Sequence, residues 1–201
     1  MKRRKEIPEG IGEDVEPDGR PPAPGPLRLI QQFVNTYNHE FELARDRLRT
    51  PVLARTWLVR HGVLHPREAP MSRTDHRSLL ALREALRAVL VDGMSQDASA
   101  AALDLAARRA RFTIQFPSES GPRLTPTATG VAGAAGEILS AAFEAGVEGT
   151  WARLKACRQC EWIFFDRSKN RSSEWCSMSI CGNRMKNREY RRRHSGNMGR
   201  T

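Results

Sequence analysis

No apolar run in this 201-residue chain approaches the roughly 20 residues that a membrane-spanning helix needs. The basic opening "MKRRK" is not followed by the apolar core of a secretion signal. A soluble, cytoplasmic chain with no membrane role is the expectation. Several enzyme patterns are missing as well. There is no HExxH, no GxSxG, no glycine-rich phosphate loop and no paired-carboxylate spacing. His39, His61, His65 and His76 are scattered at no ligand spacing and read as surface or cap residues. No internal repeat is present, and nothing before residue 150 points to catalysis. The chain reads as a non-enzyme.

Cysteine is absent from the first 156 residues and then occurs four times, at Cys157, Cys160, Cys176 and Cys181. In a cytoplasmic chain this argues against disulfides and towards metal. Charge is divided in the same way. Residues 1–152 carry 20 Lys/Arg against 19 Asp/Glu, whereas residues 153–201 carry 13 against 4. Nearly all of the net charge of +10 therefore sits in the last quarter. Clustered Lys and Arg neutralise phosphates and release counterions, so a polyanionic partner is expected for that region.

The pattern along the chain predicts an α+β fold. Residues 1–25 are acidic, rich in Pro and Gly, and too poor in apolar surface to fold, so they read as a disordered leader. Residues 26–150 read as a helix-rich domain. Leu27, Ile30, Phe33, Val34 and Tyr37 recur at helical spacing after Pro26. Thr50 and Pro51 open a second helix, which closes near Gly62. Leu79, Leu82, Leu86, Val89 and Leu90 form one stripe of a third, stopped by Gly93, and "DASAAALDLAARRA" gives a fourth. The period then shifts towards two in "RFTIQF", the turn "PSESG" follows, and "PRLTPTAT" returns as an edge strand limited by Pro122 and Pro126. A helix from about Val131 to Ala145, a joint at Glu148, Gly149 and Thr150, and then a strand carrying Leu154 lead to the cysteines.

The cysteine spacing, Cys157-x2-Cys160-x15-Cys176-x4-Cys181, is that of a closed structural zinc site. A tight turn aims the first two thiolates at one point, and the excursion returns with the second pair. No histidine or carboxylate completes an open, catalytic site. One structural zinc ion (Zn2+) is expected, supplying much of the folding free energy of a module that buries little. Trp162, Phe164 and Trp175 read as its mini-core, on a β unit lying between the two cysteine pairs. Loss of a ligand such as Cys176 is expected to unfold this module and spare the body.

After Cys181, "GNRMKNREYRRRH" contains good helix formers and no proline. On a helical wheel Arg184, Arg188, Arg191 and Arg192 cluster on one side, with Lys186 and Arg193 nearly opposite. A basic helix fixed to a zinc site can lie in a DNA groove, where Arg meets phosphates or guanine edges. Those six residues are the candidate nucleic-acid contacts. Gly182 would bring the helix start close to the metal. Asn183 would bond at the knuckle or read a base. The module is thus treble-clef-like, spanning residues 151–195, with residues 196–201 as a tail.

The last quarter resembles the CGNR zinc finger, spelled here by Cys181, Gly182, Asn183 and Arg184, with "C-x2-C", "F-x-D" at residues 164–166, "WCSM" at residues 175–178 and the following "NREYRRR". In that family the finger usually follows an ABATE domain, and "FVNTYN" at residues 33–38 is similar to the opening helix of that domain. The resemblance implies a bacterial-type DNA-binding transcription regulator. Its N-terminal domain would sense an effector, form a homodimer or dock a partner. RNA binding and a zinc-braced protein-interaction module are the alternatives. A nuclease is disfavoured, because the finger region holds a single histidine, His194.

Overall fold

A computed structural model describes residues 19, 21–38, 45–93, 97–118 and 121–195. The first helix, α1 (Leu27–Val34), buries Leu27, Ile30, Phe33 and Val34. It also buries Gln31 and Gln32, so it runs through the interior with polar side chains that need partners. It stops at Asn35, short of Tyr37, which lies beyond the helix. In α2 (Pro51–Arg60) the Thr50 hydroxyl accepts the Leu53 N–H at 3.2 Å, and Pro51 fills the first turn. Trp57 from this helix meets Phe33 with ring centroids 5.6 Å apart, and His61 stacks on Trp57 at 3.7 Å.

The twenty-residue α3 (Arg73–Asp92) is capped by Ser72, whose hydroxyl accepts the Asp75 N–H at 3.1 Å. Its predicted stripe is buried at Leu79, Leu82, Leu86 and Val89, with Leu90 half-buried. Helix α4 (Asp97–Ala110) packs against α3 and against α5 (Gly130–Val147). Between them β1 (Phe112–Gln115) and β2 (Arg123–Pro126) form the predicted hairpin, antiparallel, with Phe112 opposite Pro126 and Gln115 opposite Arg123. Small residues on α5 let it approach closely. A Cβ added at Gly136 would lie 2.5 Å from the Pro126 Cβ and 2.8 Å from the Ala110 Cβ.

These elements enclose one core in which Ile30, Phe33, Leu58, Leu82 and Ile138 are wholly buried. Each such side chain contributes about 1.5–3 kcal/mol on leaving water. The same core includes Leu154 and Ile163, which come from the cysteine-bearing part of the chain. A buried ion pair closes it on one side. Arg83 places Nη1 at 2.7 Å and Nη2 at 2.8 Å from the two carboxylate oxygens of Asp46 and also donates to the Thr36 hydroxyl.

Residues 1–18 and 20 of the expected leader, and the tail at 196–201, lie outside the described residues. The end of the leader departs from expectation. Ala23 is buried and its N–H donates to Gln31 Oε1 at 2.7 Å, while Arg167 donates to the carbonyls of Pro21 and Pro22. Prolines there present carbonyls without competing N–H groups, and the folded body uses them as acceptors. Among the described residues no helix is long and apolar enough to cross a membrane.

Candidate metal centre and basic helix

Strand β3 (Leu154–Ala156) pairs antiparallel with β4 (Ile163–Phe165), Lys155 facing Phe164. The partner of the apolar run Ile163 to Phe165 is thus the strand expected at Leu154, before Cys157, whereas a β unit wholly between the cysteine pairs was expected. The reason is local: the turn that carries Cys157 and Cys160 closes the shorter hairpin. Cys157 N–H donates to the Trp162 carbonyl at 2.9 Å and Glu161 N–H returns to the Cys157 carbonyl at 2.8 Å. Glu161 takes a left-handed backbone, φ +56°, to make that turn.

Side chains alternate across β4, as strand geometry requires. Ile163 enters the main core, fully buried, with Phe165 packed against that core. Phe164 points the other way, into a second cluster with Cys157, Cys160, Cys176 and Cys181. Trp162 and Trp175 flank this cluster half-buried. The aromatic mini-core therefore has one fully buried member, Phe164.

Cys176 leads into a wide turn, residues Met178–Gly182, which presents Cys181. The Ser177 hydroxyl caps it by accepting the Ile180 N–H at 3.2 Å, and the Ser177 carbonyl accepts both the Cys181 and Gly182 N–H groups. Two donors on one carbonyl widen the turn into π geometry, which swings the Cys181 thiol inward. Gly182 is buried directly beside Cys181. An added Cβ would meet the Met178 sulfur at 2.5 Å and the Trp175 ring at 3.4 Å, so the close approach is to side chains of the turn. Asn183 donates to the Ser179 carbonyl at 3.2 Å, within the turn between Cys176 and Cys181.

The four thiol sulfurs all lie within 4.8 Å of one another, and every one of the cysteines is buried. Cys160, Cys176 and Cys181 form a triangle with sides of 3.7 Å. Zinc–sulfur bonds of about 2.3 Å in a tetrahedron give sulfur–sulfur edges of about 3.8 Å, so the donor set fits one structural zinc. Electrostatics agree. Hydrogen bonds from Cys160 and Cys176 hold Cys157 well below the usual thiol range. Bonding to Cys157 pushes Cys160 and Cys176 up, and burial pushes Cys181 up. Four crowded thiols cannot all ionise alone; a divalent cation removes that conflict.

A polar seam joins this module to the body, and the sequence reading missed it. Asn35 Nδ2 donates to the Ile163 carbonyl at 2.7 Å and Asn35 Oδ1 accepts the Ile163 N–H at 3.0 Å. Gln31 Nε2 adds a 3.1 Å bond to the same carbonyl, and Asn38 Nδ2 donates to the Cys160 carbonyl at 3.0 Å. Arg87, buried on α3, donates to the carbonyls of Val34 and Tyr37 at the end of α1 and reaches the Glu161 carbonyl. The visible signal was the amides Gln31, Asn35 and Asn38, in and just after an otherwise apolar helix. Because of this seam the finger is docked on the body.

Helix α6 (Asn183–Ser195) follows directly. Arg184, Lys186, Arg188, Arg191, Arg192 and Arg193 are all exposed; of residues 183–194, Met185 alone is half-buried. Glu189, the acidic residue of the helix, pairs with Arg193.

Comparison with known families follows this division. The CGNR zinc finger matches residues 153–194. The ABATE family, described as "Putative stress-induced transcription regulator", matches residues 27–149, more than half the chain. No curated protein matches the sequence. The chain thus belongs to the ABATE family and carries a CGNR zinc finger on the C-terminal side of that domain.

Proposed function

We propose that this protein is a bacterial-type, cytoplasmic transcription regulator. Cys157, Cys160, Cys176 and Cys181 hold one structural zinc, and Arg184, Lys186, Arg188, Arg191, Arg192 and Arg193 of α6 contact duplex DNA. The ABATE domain senses an effector or mediates interaction, homodimerisation included. The observation that carries this reading is the placement of α6. It leaves the four-thiol cluster through a single turn, which fixes its direction, and its arginines cover no core. A helix carrying six Lys/Arg against one Glu gains little from burial and much from phosphate oxygens.

The test compares zinc-loaded full chain on a duplex DNA pool and on a structured RNA pool at equal salt. Tighter duplex binding is expected, with affinity falling as salt rises by a logarithmic slope of roughly −0.9 per phosphate neutralised. Arg188→Ala/Arg192→Ala should flatten that slope by about 1.8. Preference for the RNA pool would replace DNA by RNA as partner. Absence of salt dependence on both pools would leave a protein-interaction module.

A further inference from the structure

The loop between β4 and Cys176, residues 166–173, is braced from inside. Asp166, 1% exposed, accepts the Ser168 N–H at 2.9 Å, the Ser173 N–H at 3.1 Å and the Lys155 ammonium at 2.7 Å. Lys155 also donates to the Arg171 and Ser173 carbonyls. Arg153 donates to the carbonyls of Asp166 at 3.0 Å and Ser168 at 3.1 Å. The loop's acid is thus spent on an internal cation, and its backbone is tied at both ends and in the middle.

What remains outside is positive. Arg167 is engaged, lying over the Phe165 ring and bonding to Pro21 and Pro22. Lys169 and Arg171 are exposed and have no ion pair among the described residues. The neighbouring acid, Glu174, is already paired with Arg158 at 2.9 Å. Arg171 has φ +51°, the left-handed region that glycine or asparagine fills most easily, yet asparagine stands one position earlier.

We propose that Lys169 and Arg171 form a second phosphate-contacting element that grips the duplex backbone beside α6. This rests on the DNA-binding reading above. Loop and helix are attached to one centre: the loop runs into Cys176, the helix leaves after Cys181, and those sulfurs are 3.7 Å apart. A rigid pair of contacts fixes orientation on the duplex, the task of backbone contacts, while a lone helix could roll.

The experiment uses zinc-loaded full chain, a duplex DNA pool and two variants, Lys169→Ala/Arg171→Gly and Arg188→Ala/Arg192→Ala. The loop variant should keep or raise the melting temperature, because glycine relieves the left-handed position. Its duplex affinity should fall at least several-fold, and its salt slope should flatten by about 1.8, two phosphates' worth. Wild-type affinity and slope in the loop variant, with loss in the helix variant, overturn this proposal and leave the DNA reading intact. Wild-type behaviour in both variants overturns the two together. Should the double loop variant melt lower, Lys169→Gln alone, which leaves the backbone untouched, must flatten the slope by about 0.9 or the proposal fails.

Discussion

Asn35 grips the backbone of Ile163 with both halves of its amide, one bond of 2.7 Å to the carbonyl and one of 3.0 Å from the N–H. The two residues are 128 positions apart, and the contact has the two-way form of a strand pairing. It ties the end of α1 to β4, whose neighbouring residue Phe164 packs on the cysteine cluster. Whatever shifts α1 in the body therefore reaches the metal site through one residue of backbone.

Truncating that amide should be felt as a stability loss. In Asn35→Ala the Ile163 N–H loses its acceptor, while Gln31 still donates to the carbonyl at 3.1 Å. An unsatisfied buried donor costs about 1–3 kcal/mol, so the urea midpoint of the zinc-loaded protein should drop accordingly. Asn35→Asp keeps the acceptor but sets a carboxylate against the carbonyl, and should be worse than alanine. A midpoint equal to wild type in both would show that the seam contributes nothing.

Removing the metal should destabilise more than the finger. Wild type should contain about one zinc per chain and Cys176→Ser far less, because a tetrahedral site needs all four thiolates. Since Leu154 and Ile163 are part of the main core, chelation should lower the melting of the helical body as well. Circular dichroism at helical wavelengths follows this directly. A body transition unmoved by chelation would contradict the docked arrangement.

The Arg83–Asp46 pair offers an asymmetric test. Burial works against the Arg83 charge, but the hydrogen bond and attraction of Asp46 hold its pKa above the usual arginine value. Asp46→Ala leaves that guanidinium with Glu84 as its remaining carboxylate, at 2.8 Å, and should cost less than the about 3–5 kcal/mol of a fully unpaired buried charge. Replacing both residues by apolar ones of similar size should recover most of the loss. Calorimetry of the three proteins separates the outcomes; equal losses in single and double variants would mean that packing, not charge, is at stake there.

Much of this was legible in the chain itself. The Leu79, Leu82, Leu86 and Val89 stripe, the Thr50 cap, the hairpin and the family were all readable, because caps and periodicity act within a few residues. The seam was not. Asn35, Gln31 and Asn38 carry no periodic signal, and their partners are backbone groups more than 120 residues away. Arg87 and Asp166 are similar: on sequence they are surface charges, and their burial is set by what packs around them.

The sequence by itself determined that four thiols would be held in two pairs at zinc spacing and that a basic helix would follow them. Those facts reside in short spacings. Only the tertiary structure decided that the hairpin closes around the first pair, that Ile163 belongs to the body's core while Phe164 belongs to the cysteines, and that the finger is fastened to α1. The physical reason is that alternation along a three-residue strand allows two faces but does not say what each will meet. That choice falls to whichever buried polar groups can satisfy the backbone between them.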